Sequence, residues 1–270
     1  MKQKTHISLL SGAGLLALVF SMPSHAGYAW TFDSSPVQGT CQAASQGNSC
    51  STSSTDGTTI NVTATAWSTS TASIGSTLEE ATLRRWDGLA VNSEGESNTA
   101  PQHATDNNGK FESILYSFDD SVALSNVTMG WKEDADFSLL RFTGLGGPTL
   151  LGSTYSGLIA GGGWELVGNY LCGSGNGCST ASTGTDKNVN DDYNQDLNTG
   201  NATSSYWLIA AINTAYASSN YVGNDYFKVK TLAGTHADHP PGGSVPEPGS
   251  LALMALGLTA FGFARRRKQV

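Results

Sequence analysis

Ile60-Asn61-Val62-Thr63-Ala64-Thr65-Ala66-Trp67 is the stretch on which the reading of the fold turns. Apolar and polar residues alternate through it with period two, as they do in a strand with one face buried and one wet. Residues 112–118 repeat the pattern, with Ile114, Tyr116 and Phe118 on one face, and residues 122–131 repeat it again, with a bulge expected near Asn126. Residues 137–142, 164–170, 205–212 and 226–232 add four more such runs. In the last of them Phe227 and Val229 face one way and Lys228 and Lys230 the other. Turn signals separate the runs: Asp56-Gly57, Asn107-Asn108-Gly109, the glycines of residues 144–148 and 161–163, and Gly175-Asn176-Gly177. Residues 78–91 fit a helix or a strand, but Trp86-Asp87-Gly88 and the alternation of Ala81 and Leu83 favour a strand. No period of 20 to 50 residues recurs, which argues against a solenoid or propeller. Seven to nine short strands joined by Gly-rich turns predict an all-β fold, a single jelly-roll-like β-sandwich.

Composition narrows the partners. Only 13% of the 270 residues are charged, against about 25% in an average globular protein. All 22 acidic residues lie between positions 27 and 248, whereas 6 of the 14 Lys and Arg lie at the two ends. The central segment therefore carries 8 positive against 22 negative charges, a net of −14 against −8 for the whole chain. A surface of that sign excludes a nucleic-acid binder, which needs a basic stripe to displace counterions from phosphate, and disfavours adhesion to an anionic membrane.

The ends read as addresses. Lys2 and Lys4 precede an apolar run over residues 7–20, and Ser24 and Ala26 are the small residues at −3 and −1 of a secretory cleavage site. The apolar run is shorter than the roughly 20 residues that a membrane span needs, so residues 1–26 are expected to be a signal peptide and the mature chain to start at Gly27. At the other end Val245-Pro246-Glu247-Pro248 is followed by an apolar stretch over residues 251–264 and then Arg265-Arg266-Arg267-Lys268. The basic cluster would stay cytoplasmic, leaving residues 27–248 outside. Pro246 and Pro248 fix their own φ and disfavour helix before them, so the strip ahead of the apolar stretch is extended and open to a processing enzyme. Residues 234–244, with Pro240-Pro241-Gly242-Gly243, read as a linker. The expected layout is a signal peptide (1–26), a β-sandwich domain (27–233), a linker (234–244) and a C-terminal sorting segment (245–270).

Motif, apolar helix and Arg cluster in that order resemble the PEP-CTERM sorting signal of Gram-negative bacteria, which an exosortase reads. The resemblance implies exosortase as partner, export, transient anchoring in the inner membrane, cleavage near Pro-Glu-Pro, and a destination at the cell surface or in the extracellular matrix. It implies nothing about what the cargo does.

In an exported chain an even number of cysteines points to disulfides. The four allow three connectivities. The local pairs Cys41–Cys50 and Cys172–Cys178 are favoured, because each cysteine lies within ten residues of its partner. Each would clip a loop and contribute about 2–3 kcal/mol. The spacings do not fit paired CxxC zinc ligands.

Catalytic motifs are missing: there is no GxSxG, HExxH, P-loop or GxGxxG opening a helix. His103 lies near Asp106 but reads better as a packing residue than as half of an acid–base pair. The carboxylates at Glu79-Glu80, Asp119-Asp120 and Glu133-Asp134-Asp136 read as solvated turns rather than the facing pair of a glycosidase. The chain is expected to be non-enzymatic. No motif demands a cofactor; calcium is the one for which oxygen ligands cluster. Asp186, Asn188, Asn190, Asp191, Asp192 and Asp196 open like an EF-hand loop. Asp191, however, replaces its invariant Gly and Leu197 its bidentate Glu, so a solvated acidic loop is favoured there. The second candidate is Asp106-Asn107-Asn108-Gly109 with Asp225, which opens the last strand; Asp106, Asn108 and Asp225 are its expected ligands.

Of the six Trp, most sit in strand patterns and are expected in the core; Trp86, with Tyr221, lies beside turn residues as an exposed platform of the kind that holds a sugar ring.

A second resemblance covers most of the central segment. Pro101-Gln102-His103-Ala104-Thr105-Asp106-Asn107-Asn108-Gly109, Glu112-Ser113-Ile114-Leu115-Tyr116-Ser117-Phe118, Val127-Thr128-Met129-Gly130-Trp131, Gly163-Trp164-Glu165-Leu166-Val167-Gly168-Asn169-Tyr170, Ser204-Ser205-Tyr206-Trp207-Leu208-Ile209 and Gly223-Asn224-Asp225-Tyr226-Phe227-Lys228 are similar to a family of exosortase-dependent surface proteins. That family has no established activity. The resemblance implies surface or matrix cargo, associated with extracellular polysaccharide or purely structural; a glycan-active enzyme is the remoter alternative. Asn224-Asp225-Tyr226-Phe227 also resembles the last strand of calcium-containing, carbohydrate-binding jelly rolls, which implies a metal-ligand role for Asp225 alone.

Overall fold

The computed structural model describes residues 27–33, 40–41, 47–55, 59–97, 99–101, 103–171, 193–218 and 223–236, all within one compact unit, His25–Pro241. Of these, 53% are in strands. In chain order they are β1 (Tyr28–Thr31), β2 (Ser49–Ser53), β3 (Asn61–Thr69), β4 (Leu78–Glu80), β5 (Thr82–Arg85), β6 (Leu89–Asn92) and β7 (Thr105–Asp106). Then come β8 (Glu112–Glu133), β9 (Phe137–Phe142), α1 (Tyr155–Ala160), β10 (Trp164–Tyr170), β11 (Tyr193–Asp196), β12 (Ser204–Ala211) and β13 (Tyr226–His236). Residues 78–91, ambiguous in sequence, are strands. The turn between β5 and β6 is Trp86-Asp87-Gly88, with φ of 57° at Asp87 and 119° at Gly88.

The pairing is antiparallel throughout, along the path β10-β9-β12-β8-β13-β6-β5, with β3 and β11 also on β8, β2 and β4 on β3, and β1 and β7 on β13. The spine is β8. Two strands were expected here, broken at Asp119-Asp120, but one strand of 22 residues runs through. Its first half lies between β3 and β12 and its second half between β13 and β11. Asp119 and Asp120 mark the change of neighbours. Asn61 donates to both oxygens of Asp119 (2.9 and 2.6 Å), and His236 lies 2.6 Å from Asp120.

Alternation sorts side chains into two cores. Ile114, Tyr116 and Phe118 enter the main one with Val62, Ala64, Leu139, Trp207, Ile209, Phe227 and Val229. Residues from most strands meet there, in an open sheet that gives a β-sandwich-like all-β fold. Two indole N–H groups of the main core are satisfied by backbone: Trp30 donates to the Ile60 carbonyl at 2.9 Å, and Trp207 to those of Ser204 (3.0 Å) and Val122 (3.2 Å). The opposite face of β8, β9 and β12 is not wet. Leu115, Leu140 and Leu208 are covered by Leu150, Tyr155 and Leu158 from the β9–β10 connection. Thr154 caps α1 there by accepting from the Gly157 N–H at 3.0 Å.

The bulge expected near Asn126 is present: Ala233 pairs with Asn126 but Gly234 with Leu124, leaving Ser125 unmatched. A Cβ on Gly234 would lie 2.6 Å from the Ala123 carbonyl oxygen, so only glycine fits. This corrects the start of the linker. Gly234, Thr235 and His236 belong to β13, because the bulge lets the strand continue against β8 after a run that reads as coil. Cys41 and Cys50 form a disulfide buried in the main core, fastening the segment before β2. Cys172 and Cys178, the acidic residues 186–192, Tyr221, Ser24 and Ala26, the linker after residue 236, and the sorting residues Val245, Pro246, Glu247, Pro248, Arg265, Arg266 and Arg267 lie outside the described residues. Among the described residues no helix is long and apolar enough to cross a membrane.

Candidate functional site

Buried carboxylates gather around β7, the two-residue strand that pairs with the start of β13, Tyr226 opposite Asp106. Successive residues of an extended strand point to opposite sides, so Asp106 and Asn107 serve two different clusters.

On one side stands Asp225, with no solvent exposure. Its Oδ1 accepts from the Asp136 N–H at 3.1 Å and its Oδ2 from Asn107 Nδ2 at 2.6 Å. Its own N–H donates to Asn107 Oδ1 at 2.9 Å, and Asn107 Nδ2 also donates to the Ile212 carbonyl at 2.9 Å. The four residues knot the ends of β7, β9, β12 and β13 together. The carboxylates of Asp134, Asp136 and Asp225 lie within 4.8 Å of one another. Burial first, and then the charges of Asp136 and Asp134, hold the Asp225 carboxyl well above the usual carboxylate range.

On the other side Asp106, also without exposure, meets Glu112 and Glu96. Glu112 opens β8 on the same face as Ile114 and Tyr116 and is fully buried. It accepts from the N–H groups of Ser93 (Oε1, 2.9 Å) and Asp106 (Oε2, 3.0 Å). Glu96, half-buried on the turn after β6, accepts from the Ser93 N–H with Oε2 at 2.9 Å. Asp106 Oδ1 accepts from the Asn108 N–H at 2.9 Å. Asp106 Oδ2 and Glu96 Oε1 are buried and have no hydrogen-bond partner among the described residues. Burial, and then Glu96, push the Asp106 carboxyl up to about 8. Burial, and then Asp106 and Glu96, hold Glu112 well above its ordinary value.

The trio expected from sequence is therefore divided. Asp106 and Asp225 belong to different clusters, and the Asn108 side chain reaches neither, donating instead to the Tyr226 hydroxyl at 2.7 Å. Asn107 lay within the candidate segment but not among its expected ligands, and Glu96 and Glu112 were missed. The signal for Glu112 was its place in the period-two face of Ile114, Tyr116 and Phe118; Glu96 has no comparable signal.

His103 packs edge-on to Trp131, with ring centroids 5.3 Å apart, and burial lowers its pKa, with Lys228 adding to the effect. Glu79 pairs with Lys110 at 2.7 Å. With Asp119 and Asp120 held as above, these carboxylates have local surface partners. Trp30, Trp164 and Trp207 are buried and Trp67 and Trp131 half-buried, whereas Trp86 is 77% exposed at the β5–β6 turn. Beside that turn Lys230 Nζ lies 3.5 Å from Asp87 Oδ1 and 3.7 Å from Asp33 Oδ2.

The comparison with known families finds its match elsewhere in the chain. Residues 244–268 match the PEP-CTERM protein-sorting motif. The chain carries a PEP-CTERM sorting motif at its C-terminal end. The motif marks it for exosortase-dependent sorting to the cell surface, with exosortase as its processing partner. No curated protein and no solved structure matches this PEP-CTERM chain.

Proposed function

We propose that this is a non-enzymatic surface or matrix protein whose β domain, of jelly-roll type, contacts extracellular polysaccharide through Trp86. In this reading the signal peptide (cleaved after Ala26) exports the chain and residues 251–264 anchor it transiently in the inner membrane. Exosortase then cuts near Pro246-Glu247-Pro248. The sorting motif supports the destination. The observation that carries the ligand is Trp86: an indole 77% exposed, with Asp87, Lys230 and Asp33 beside its turn. Such a face can stack on a sugar ring while charged neighbours meet its hydroxyls.

Two experiments test the two halves. Replacing Glu247, or Arg265 to Arg267 together, is expected to leave full-length protein in the inner membrane; normal release of either variant overturns the sorting route. Trp86→Ala is expected to abolish co-sedimentation with the host's own exopolysaccharide. Because the side chain is exposed, stability should stay within about 0.5 kcal/mol. Unchanged co-sedimentation would leave a structural protein without a sugar ligand. Release of reducing ends from that polysaccharide would revive an enzyme.

A further inference from the structure

We propose that Glu96, Asp106 and Glu112 form a site for a hard divalent cation, with calcium the ion it meets outside the cell. Three carboxylates converge where the turn after β6, strand β7 and the start of β8 meet. The charges that act on Glu112 are Asp106 and Glu96, both negative. Backbone N–H groups of Ser93, Asp106 and Asn108 fix the three side chains from behind. Those bonds leave Asp106 Oδ2 and Glu96 Oε1, both buried, without a hydrogen-bond partner among the described residues, although the Glu96 side chain also hydrogen-bonds Glu112. An unpaired buried carboxylate oxygen carries the full cost of its lost hydration. Asp106, whose side chain has no solvent exposure, carries that cost while facing two more carboxyls. A bound cation removes both the desolvation and the repulsion at once.

The chemistry of the donors selects the ion. All are oxygens, with no imidazole or thiolate, which suits calcium, magnesium or manganese rather than zinc. The partnered oxygens keep free lone pairs, and water completes a shell of six to eight. Glu96 also borders a shallow surface depression of about 490 Å³ with Asn108, Gly109 and Lys110, so this edge of the cluster reaches the surface. The neighbouring group of Asp134, Asp136 and Asp225 differs, because none of its oxygens is among the buried atoms left without a hydrogen-bond partner. A protein sent to the cell surface meets calcium at levels where even sites of about 10⁻⁴–10⁻³ M fill.

The test is calcium added to the full-length chain after chelation, read by isothermal titration and by thermal unfolding. Terbium luminescence, sensitised by Tyr226, gives a third readout. One ion per chain is expected, with a saturable rise in melting temperature. Glu96→Gln, half-buried and tolerant, should weaken binding at least tenfold, and Asp106→Asn should abolish it. Asp134→Asn should leave it within twofold. Should Glu112→Gln fail to fold, Glu96→Gln still decides. Absence of uptake by the folded wild-type chain overturns the proposal. So does loss of uptake in Asp134→Asn with Glu96→Gln unaffected, which would place the ion at the other cluster.

Discussion

Asp225 and Asp106 sit on either side of the β7–β13 contact, both without solvent exposure and both titrating above their ordinary range. Their surroundings differ in one respect. Asp225 has every oxygen engaged: the Asp136 N–H holds one and the Asn107 amide the other. Asp106 has one oxygen held by the Asn108 N–H and one, also buried, without a hydrogen-bond partner among the described residues. Burial alone therefore does not mark a ligand. A buried carboxylate whose acceptors are saturated by N–H groups is a clip between strands, and one with a surplus oxygen facing further carboxylates is prepared for something from outside.

The sharpest way to break that contrast is to remove each carboxylate in chelator. Asp225→Ala strands the Asp136 N–H and the Asn107 amide in the interior, at about 1–3 kcal/mol each. Relief of the repulsion from Asp134 and Asp136 offsets part of this. A net loss of about 3 kcal/mol is expected, read as a fall of roughly 6–12 °C in melting temperature. Asp106→Asn keeps an acceptor for the Asn108 N–H and replaces a carboxyl that burial and Glu96 hold neutral up to about pH 8, so the melting temperature should hold or rise. Equal losses in the two variants would show that Asp106 is a clip as well.

A second contrast is in pH. Asp106 titrates near 8 in the folded chain and near 3.9 when unfolded. Between those values the folded state holds more protons than the unfolded one, and stability falls as pH rises, by up to about 1.4 kcal/mol per unit for one carboxyl. In chelator the melting temperature should therefore decline from pH 5 to pH 8, and the decline should be shallower in Asp106→Asn. With saturating calcium the wild-type decline should flatten, since the ion favours the ionised carboxyls. A chelated chain whose melting temperature climbs over that range would contradict the burial of this cluster.

What the sequence made legible follows the same line between local and distant causes. The strands of the main core were readable because period-two alternation is a local signal: Val62 and Ala64, Ile114 and Tyr116, Phe227 and Val229 all enter the core as the pattern demands. The continuity of β8 was not readable. Asp119-Asp120 has the composition of a turn and is held in the sheet by Asn61 and His236, which lie far away in sequence. The extension of β13 was hidden for a similar reason, because Gly234 resembles linker until the bulge opposite Ser125 is known. At the acidic clusters, residue type pointed to Asp106 and Asp225, but which neighbours they meet depends on the parity of a two-residue strand. Asn107, rather than Asn108, points at Asp225.

The smallest effect tests that parity directly. Asn108 matched the sequence expectation of an oxygen ligand beside Asp106, yet its side chain donates to the Tyr226 hydroxyl and only its backbone N–H serves Asp106. Asn108→Ala therefore removes one half-buried hydrogen bond while the N–H to Asp106 remains. The expected loss is about 0.5–1 kcal/mol, or a shift of a few degrees at most in chelator. Calcium affinity should stay within twofold, because the Asn108 side chain is engaged with the Tyr226 hydroxyl. A tenfold loss of affinity, equal to that expected of Glu96→Gln, would return Asn108 to the ligand set. It would mean that the turn over residues 107–109 rearranges around the ion, with the Asn108 amide leaving Tyr226 to do so.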